Sequence, residues 1–275
     1  SDLGAMGAAL ALLIPGPALL FTVGFALLSI VLEVFIAYDR YVAILKWTTL
    51  SLFAYVAVPF VAHVQLGDAL RGLVVPDFTF DKTHAMALVA IFGTTISPYL
   101  FFWQAGQEVE EQHRRHAKPL CISPRKAGPE LRRIRVDTLV GMGFSHATAL
   151  FIVIATAATL HVSGVTEITS SAQAASALEP IAGRQAMLLF ALGIIGTGML
   201  AVPTLAGSAA YAVSECFHWV EGLDRKPREA KAFYSAIALA TLGGLALNLL
   251  SIDPMKALYW AAVINGMLAP PLMVV

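Results

Sequence analysis

Strongly apolar stretches cover residues 5–14, 16–37, 42–64, 86–107, 136–160, 185–214, 232–250 and 256–275, with polar connections between them. Inside each stretch the apolar residues run on without the strict alternation of a half-buried strand. The pattern therefore predicts helices and not a β-barrel. Most of the stretches approach the ~20 residues that a hydrocarbon core requires. The fold class read from this is an all-α membrane protein with about eight transmembrane helices. Composition points the same way: 58% of the residues are hydrophobic and 13% charged, against about 25% charged in an ordinary soluble domain. Mean hydropathy is +0.74. No basic segment with a small-residue cleavage site precedes the first stretch, so no signal peptide is expected. The abrupt start at Ser1 and the end inside "LAPPLMVV" read as a fragment cut within helices.

The formal net charge is zero, but the basic residues are not evenly spread. Connections 38–46, 111–135 and 218–231 hold 2, 8 and 4 of the 18 Lys and Arg, and the alternate connections 65–85, 161–184 and 251–256 hold the other four. Such alternation is what a threaded chain demands, and it assigns the first set to the cytoplasm. The chain then divides into a three-helix unit 1–65, an extracytoplasmic loop 66–85 and a five-helix unit 86–275 containing a basic cytoplasmic loop 112–135. That loop reads as a solvated topology anchor, with a lipid-headgroup role as the lesser alternative; no nucleic acid partner is expected. Cys121 and Cys216 lack metal-type spacing, and a disulfide is not expected on that side of a membrane.

The stretch 92–111, "FGTTISPYLFFWQAGQEVEE", is the most informative. Pro98 has no amide hydrogen, so the carbonyl of Thr94 loses its helical partner. Non-helical backbone at membrane depth survives only inside protein or beside a water-filled cavity. Freed carbonyls next to the Thr95 and Ser97 hydroxyls gather hard oxygen donors, which suit hard cations. Broken helices near the midplane also build the substrate sites of secondary transporters. The plainer alternative is a proline kink whose hydroxyls bond back to their own helix.

These residues resemble a known family. "GTTISPYLFFWQAGQEVEEQ" is similar to the sixth helix of the Nramp divalent-metal transporters, in a bacterial Nramp-related form. "SDLGAMGAAL" resembles the third helix, "VLEVFIAYDRYVAILKW" the end of the fourth and start of the fifth, and "RRIRVDTLVGMGFSHATALFIVIATAATLH" the seventh. "LLFALGIIGTGMLAVPTLAGSAAYAVSE" resembles the eighth, and "SIDPMKALYWAAVINGMLAPP" the turn into the tenth. The resemblance implies a LeuT-type inverted-repeat transporter fold, here incomplete, with the third to tenth helices of the family. The first-helix Asp and Asn ligands would lie outside this chain, which alone is not expected to transport.

The family's Met-Pro-His motif reads Ser97-Pro98-Tyr99 here. Carried over, the metal ligands are the Ser97 side chain and the Thr94 carbonyl. A hydroxyl in place of a thioether removes the preference for softer metals. The expected cargo is therefore Mn²⁺ or Mg²⁺ rather than Fe²⁺ or Cd²⁺, with Mg²⁺ entering partly hydrated. A titratable family histidine is matched by Gln104, which cannot titrate. Asp2 resembles the third-helix Asp, but the acid that follows it in the family is missing. Protons are the possible second partner that these departures put in question: uncoupled transport, driven by the metal gradient and membrane potential, is the expectation.

Other polar residues divide between function and packing. Glu108 shares a helix face with Gln104 and Glu111, and is either an exit vestibule for cations or an acidic helix end paired to the basic loop. Asn265 either faces the central cavity or hydrogen-bonds a neighbouring helix. Tyr99 and Thr95 flank the break. Glu33 is expected to pair with Arg40 or Lys46, and His146 to pack within a span. No GxSxG, HExxH or phosphate loop is present, so no enzyme and no cofactor are expected, the metal being substrate. The function is read as divalent metal transport into the cytoplasm by a multi-pass protein of the bacterial inner membrane. A transporter of another solute and a non-transporting membrane scaffold or receptor remain the alternatives.

Overall fold

The computed structural model describes residues 2–36, 47, 49–63, 67, 71, 81–95, 98–116, 124–165, 168–250 and 254–274. Ser97, Arg40, Lys46, Cys121 and most of 66–85 lie outside them. The described residues form α1 (Asp2–Leu13), α2 (Ala18–Phe35), α3 (Leu52–Val61), α4 (Lys82–Thr95), α5 (Pro98–Arg114), α6 (Pro124–Thr156), α7 (Ser171–Phe217), α8 (Lys231–Leu249) and α9 (Pro254–Val274). Among the described residues there is no strand. Among the described residues, five helical segments are long and apolar enough to cross a membrane. The chain is thus an all-helical, multi-pass membrane protein.

Local chemistry explains most of the boundaries. Pro15 and Pro17 separate α1 from α2, because neither can continue the hydrogen-bond ladder. Pro98 and Pro124 are the first described residues of α5 and α6. α6 ends in a π-helical turn, Ala157–His161, in which the Thr159 hydroxyl bonds back to the Ala155 carbonyl at 2.5 Å.

Two expected connections are partly helical. Residues 112–135 were expected as a loop, but α5 runs on to Arg114 and α6 already begins at Pro124. The reason is ion pairing at helical spacing: Arg115 with Glu111 at 2.7 Å and Arg133 with Glu130 at 2.9 Å. Residues 161–184 likewise contain the start of α7. Ser170 caps it by accepting from the Gln173 amide at 3.1 Å, while the Gln173 side chain accepts from the Thr169 amide at 2.7 Å. This is close to a reciprocal capping box. Gly183, with φ 86° and ψ 165°, then breaks the helical dihedrals, and α7 is two helices joined at that residue.

α7 is the central element and packs on α1, α3, α5 and α8. α1 lies on α2, α3 on α6, and α4 on α9. The α4–α9 crossing is unusually close. A Cβ on Gly93 would overlap the Ala262 carbonyl oxygen, and one on Gly266 would overlap that of Val89. The largest buried clusters lie along α7, one with Tyr55, Val58 and Leu160, another with Leu32, Phe233 and Ile237. Outward faces carry exposed Leu, Val, Phe and Trp, as a lipid-facing surface does.

Candidate cation site

α4 ends at Thr95 and α5 starts at Pro98, on either side of residues 96–97, which lie outside the described residues. Against this junction lies a cavity of about 450 Å³. It is lined by Asp2 from α1, Gly93 and Thr94 from α4, Tyr99 from α5, Thr241 from α8 and Asn265 from α9, with the small residues Ala201 and Ala206 of α7 behind them. Four of the residues singled out from the sequence therefore meet in one space: Asp2, Thr94, Tyr99 and Asn265. They come from four different helices, which no local motif could reveal. A smaller chamber of about 120 Å³ adjoins it and shares Asp2 and Ala201, with Tyr55 and Thr197 on its far wall.

The lining is largely apolar, with Leu3, Val202, Leu205, Leu258 and several alanines, and its few polar side chains carry oxygen: a carboxylate, hydroxyls and an amide, with no sulfur or imidazole among the described lining residues. Nor do any three His, Cys, Asp or Glu side chains cluster in metal-binding fashion among the described residues. The threonine hydroxyls at the break bond back to their own helix, Thr94 to the Ile91 carbonyl at 2.7 Å and Thr95 to that of Phe92 at 3.0 Å. Donation uses the hydroxyl hydrogen and leaves the oxygen lone pairs open. A water occupies about 30 Å³ of liquid, so the cavity has room for an ion with a shell of six waters.

Gln104 and Glu108 do not line this cavity. The Gln104 amide donates to the Thr138 hydroxyl of α6 at 2.9 Å. The Glu108 carboxylate accepts from Arg133 at 2.5 Å, and Arg133 also holds Glu130. Of the two readings of Glu108, the geometry favours the pairing to the basic segment. Both partners keep some solvent exposure, so Glu108→Gln is expected to cost less than about 1 kcal/mol. Equilibrium unfolding in detergent checks this, and a loss several times larger would show that Glu108 carries more than a partly exposed pair.

One further residue is placed differently from expectation. His146 was expected to pack within a span, yet its side chain is exposed on α6. Glu33 is 4% exposed and neither carboxylate oxygen has a hydrogen-bond partner; Arg40 and Lys46 fall outside the described residues. Glu110, two residues after Glu108 on α5, is 5% exposed. It accepts from the Tyr211 hydroxyl and from the Leu223 amide, the latter at 2.7 Å. Tyr234 adds bonds to the Leu223 and Arg225 carbonyls. Together these tie α5, α7, α8 and the 218–230 connection at one end of the bundle. The sequence offered one signal for this: Glu110 falls among Glu and Gln on α5, and only the packing of α7 against that face distinguishes it from Glu108.

The whole chain, residues 1–275, matches the family described as natural resistance-associated macrophage protein-like, Nramp. A protein named divalent metal cation transporter MntH from Vibrio campbellii is 29% identical over 156 residues, 56% of this chain and 34% of that relative. One of the same name from Erwinia tasmaniensis is 28% identical over 170 residues, 60% of this chain and 38% of the relative. The matched stretch thus spans little more than a third of either relative's length.

Proposed function

The chain belongs to the Nramp family, and from that membership we propose that it forms the part of a divalent metal cation transporter in which the cavity at the α4–α5 break is the cation site. The observation that supports this most is the meeting of Asp2, Thr94, Tyr99 and Asn265 around a space large enough for a hydrated ion. The relatives' printed names add the substrate class. Transport, not catalysis, is the activity, and the metal is cargo.

Within that reading the cavity favours Mn²⁺ or Mg²⁺. Hard oxygen donors bind hard cations, whereas a thioether would favour softer ones. Mg²⁺ gives up water reluctantly, and a wall of hydroxyls and amide can hold its water shell by hydrogen bonds. Ser97 and the Thr94 carbonyl are the residues proposed to touch the ion, with Tyr99 and Asn265 next to it. Gln104, paired to Thr138, offers no titratable group to a proton path. Flow is proposed to run to the cytoplasm without proton coupling. Each 100 mV of membrane potential then contributes about 2.3 kcal/mol per elementary charge.

The test is metal uptake into proteoliposomes by the native-length protein, with a pH dye inside. Mn²⁺ or Mg²⁺ flux without acidification is expected, and Ser97→Met is expected to raise Cd²⁺ flux relative to Mg²⁺. Cd²⁺ flux with acidification in the unaltered protein would overturn the oxygen-site reading. No flux of any divalent cation would favour another solute or a scaffold role.

A further inference from the structure

We propose that Thr241 is a specificity-determining residue of the cavity, its hydroxyl holding a water of the cation's hydration shell. This rests on the cation-site reading above and adds a contact from α8, which the sequence did not single out.

Thr241 lines the cavity, is 3% exposed, and its Oγ1 has no hydrogen-bond partner. That is unusual among the helical hydroxyls of this protein. Thr22 bonds back to the Ala18 carbonyl at 2.9 Å, Thr148 to Phe144 at 2.9 Å and Thr204 to Leu200 at 2.8 Å. Such back-bonding is the ordinary way a membrane helix satisfies a threonine. Thr241 has the Ile237 carbonyl available at the same spacing and does not use it. Ser29 and Ser214 are also buried without partners, but neither lines the cavity. Among the described residues whose buried side-chain oxygen lacks a partner, Thr241 is the one on the cavity wall.

Ala240 and Gly244 flank it on the same wall; Oγ1 itself is closed off from water-sized space, and a water reaches it when these small neighbours shift. A buried hydroxyl without a partner is costly, and a water molecule is the partner a polar cavity supplies. A water bound to a divalent cation is a strong donor, and Oγ1 has two lone pairs to accept from it. A cation that keeps its waters gains from this contact. A softer cation that sheds them at the site gains little. Thr241 therefore discriminates by hydration, independently of direct ligands at the helix break.

Thr241→Val keeps the shape and β-branching while removing the hydroxyl, and Thr241→Ser keeps the hydroxyl. In proteoliposomes of the native-length protein, Thr241→Val is expected to raise the half-saturating Mg²⁺ concentration roughly tenfold, the scale of one lost hydrogen bond to a charged group. Maximal Mg²⁺ rate and Cd²⁺ transport are expected to stay near the parent's, and Thr241→Ser to stay close to it throughout. If Thr241→Val does not assemble, Thr241→Ala makes the same comparison. An unchanged Mg²⁺ half-saturation in the hydroxyl-less variant, or a Ser variant as impaired as the Val one, overturns the role of Thr241. If Ser97→Met still shifts selectivity in that case, the cation site stands and only this contact falls. If the parent moves no divalent cation, both fall together.

Discussion

Gly93→Val is expected to abolish cation flux and to lower the melting temperature in detergent, the largest single effect of any substitution near the cavity. At Gly93 the α4 backbone meets the α9 backbone at Ala262, and even one added carbon would overlap the carbonyl oxygen there. Overpacking a core with side chains that can turn aside costs typically 1–3 kcal/mol. Here the obstacle is main chain, which cannot rotate away, so the two helices must separate. Gly93 and Ala262 both line the cavity, and separating them displaces Thr94 and Asn265 from one another. Gly243→Ala is the control: nothing lies within 4 Å of a Cβ there, and alanine favours a helix by up to about 1 kcal/mol over glycine. Melting curves and uptake measured side by side decide the matter. Equal behaviour of the two variants would show that the α4–α9 approach is not required.

Glu110→Ala is expected to destabilise the fold by about 2–6 kcal/mol without touching the cavity. The substitution strips the acceptor from the buried Tyr211 hydroxyl and leaves the Leu223 amide only a long contact to that hydroxyl at 3.4 Å, and each buried group so affected costs up to about 1–3 kcal/mol. Gly222, next to Leu223, has φ 127° and faces the Glu110 carboxylate, so the turn has little freedom to bring up another acceptor. Tyr211→Phe removes only one donor and is expected to cost about 1 kcal/mol. Chemical unfolding monitored by tryptophan fluorescence reads both, with exposed Glu229→Ala as the reference. A Glu110 variant no weaker than that reference would show the network to be dispensable.

The spans were legible because lipid imposes a coarse rule: long apolar runs with charge confined to the connections. What escaped was finer. The start of α7 was announced by Ser170 and Gln173, three residues apart, but that signal sits in a stretch too polar to read as a span. The extension of α6 back to Pro124 depends on Arg–Glu spacing, which composition hides inside a basic loop. At the cavity, Thr94 and Asn265 could be picked out as polar residues within apolar surroundings, and Asp2 and Tyr99 through the resemblance to the Nramp helices. Thr241 looked like any threonine in an alanine-rich helix, since nothing in one dimension tells whether a hydroxyl bonds back to its own turn. Glu108 and Glu110, two positions apart, had opposite fates because a helix turns 200° between them; the first found Arg133 and the second the interior.

The kink at Gly183 leaves α7 with a last segment of 36 apolar-rich residues, Ala182–Phe217, about 54 Å of helix at 1.5 Å per residue. Hydrocarbon is about 30 Å thick, and a tilt of 40° would absorb only part of the difference. At least one end of this rod therefore stands in the headgroup zone, and Tyr211 lies within two turns of its end at Phe217. A longer-chain lipid would draw more of that end into hydrocarbon and strengthen the Glu110 contacts by excluding competing water. A shorter one would wet them. Acyl-chain length thereby becomes a setting on how firmly α5, which lends Tyr99 to the cavity, is held to the rest of the bundle.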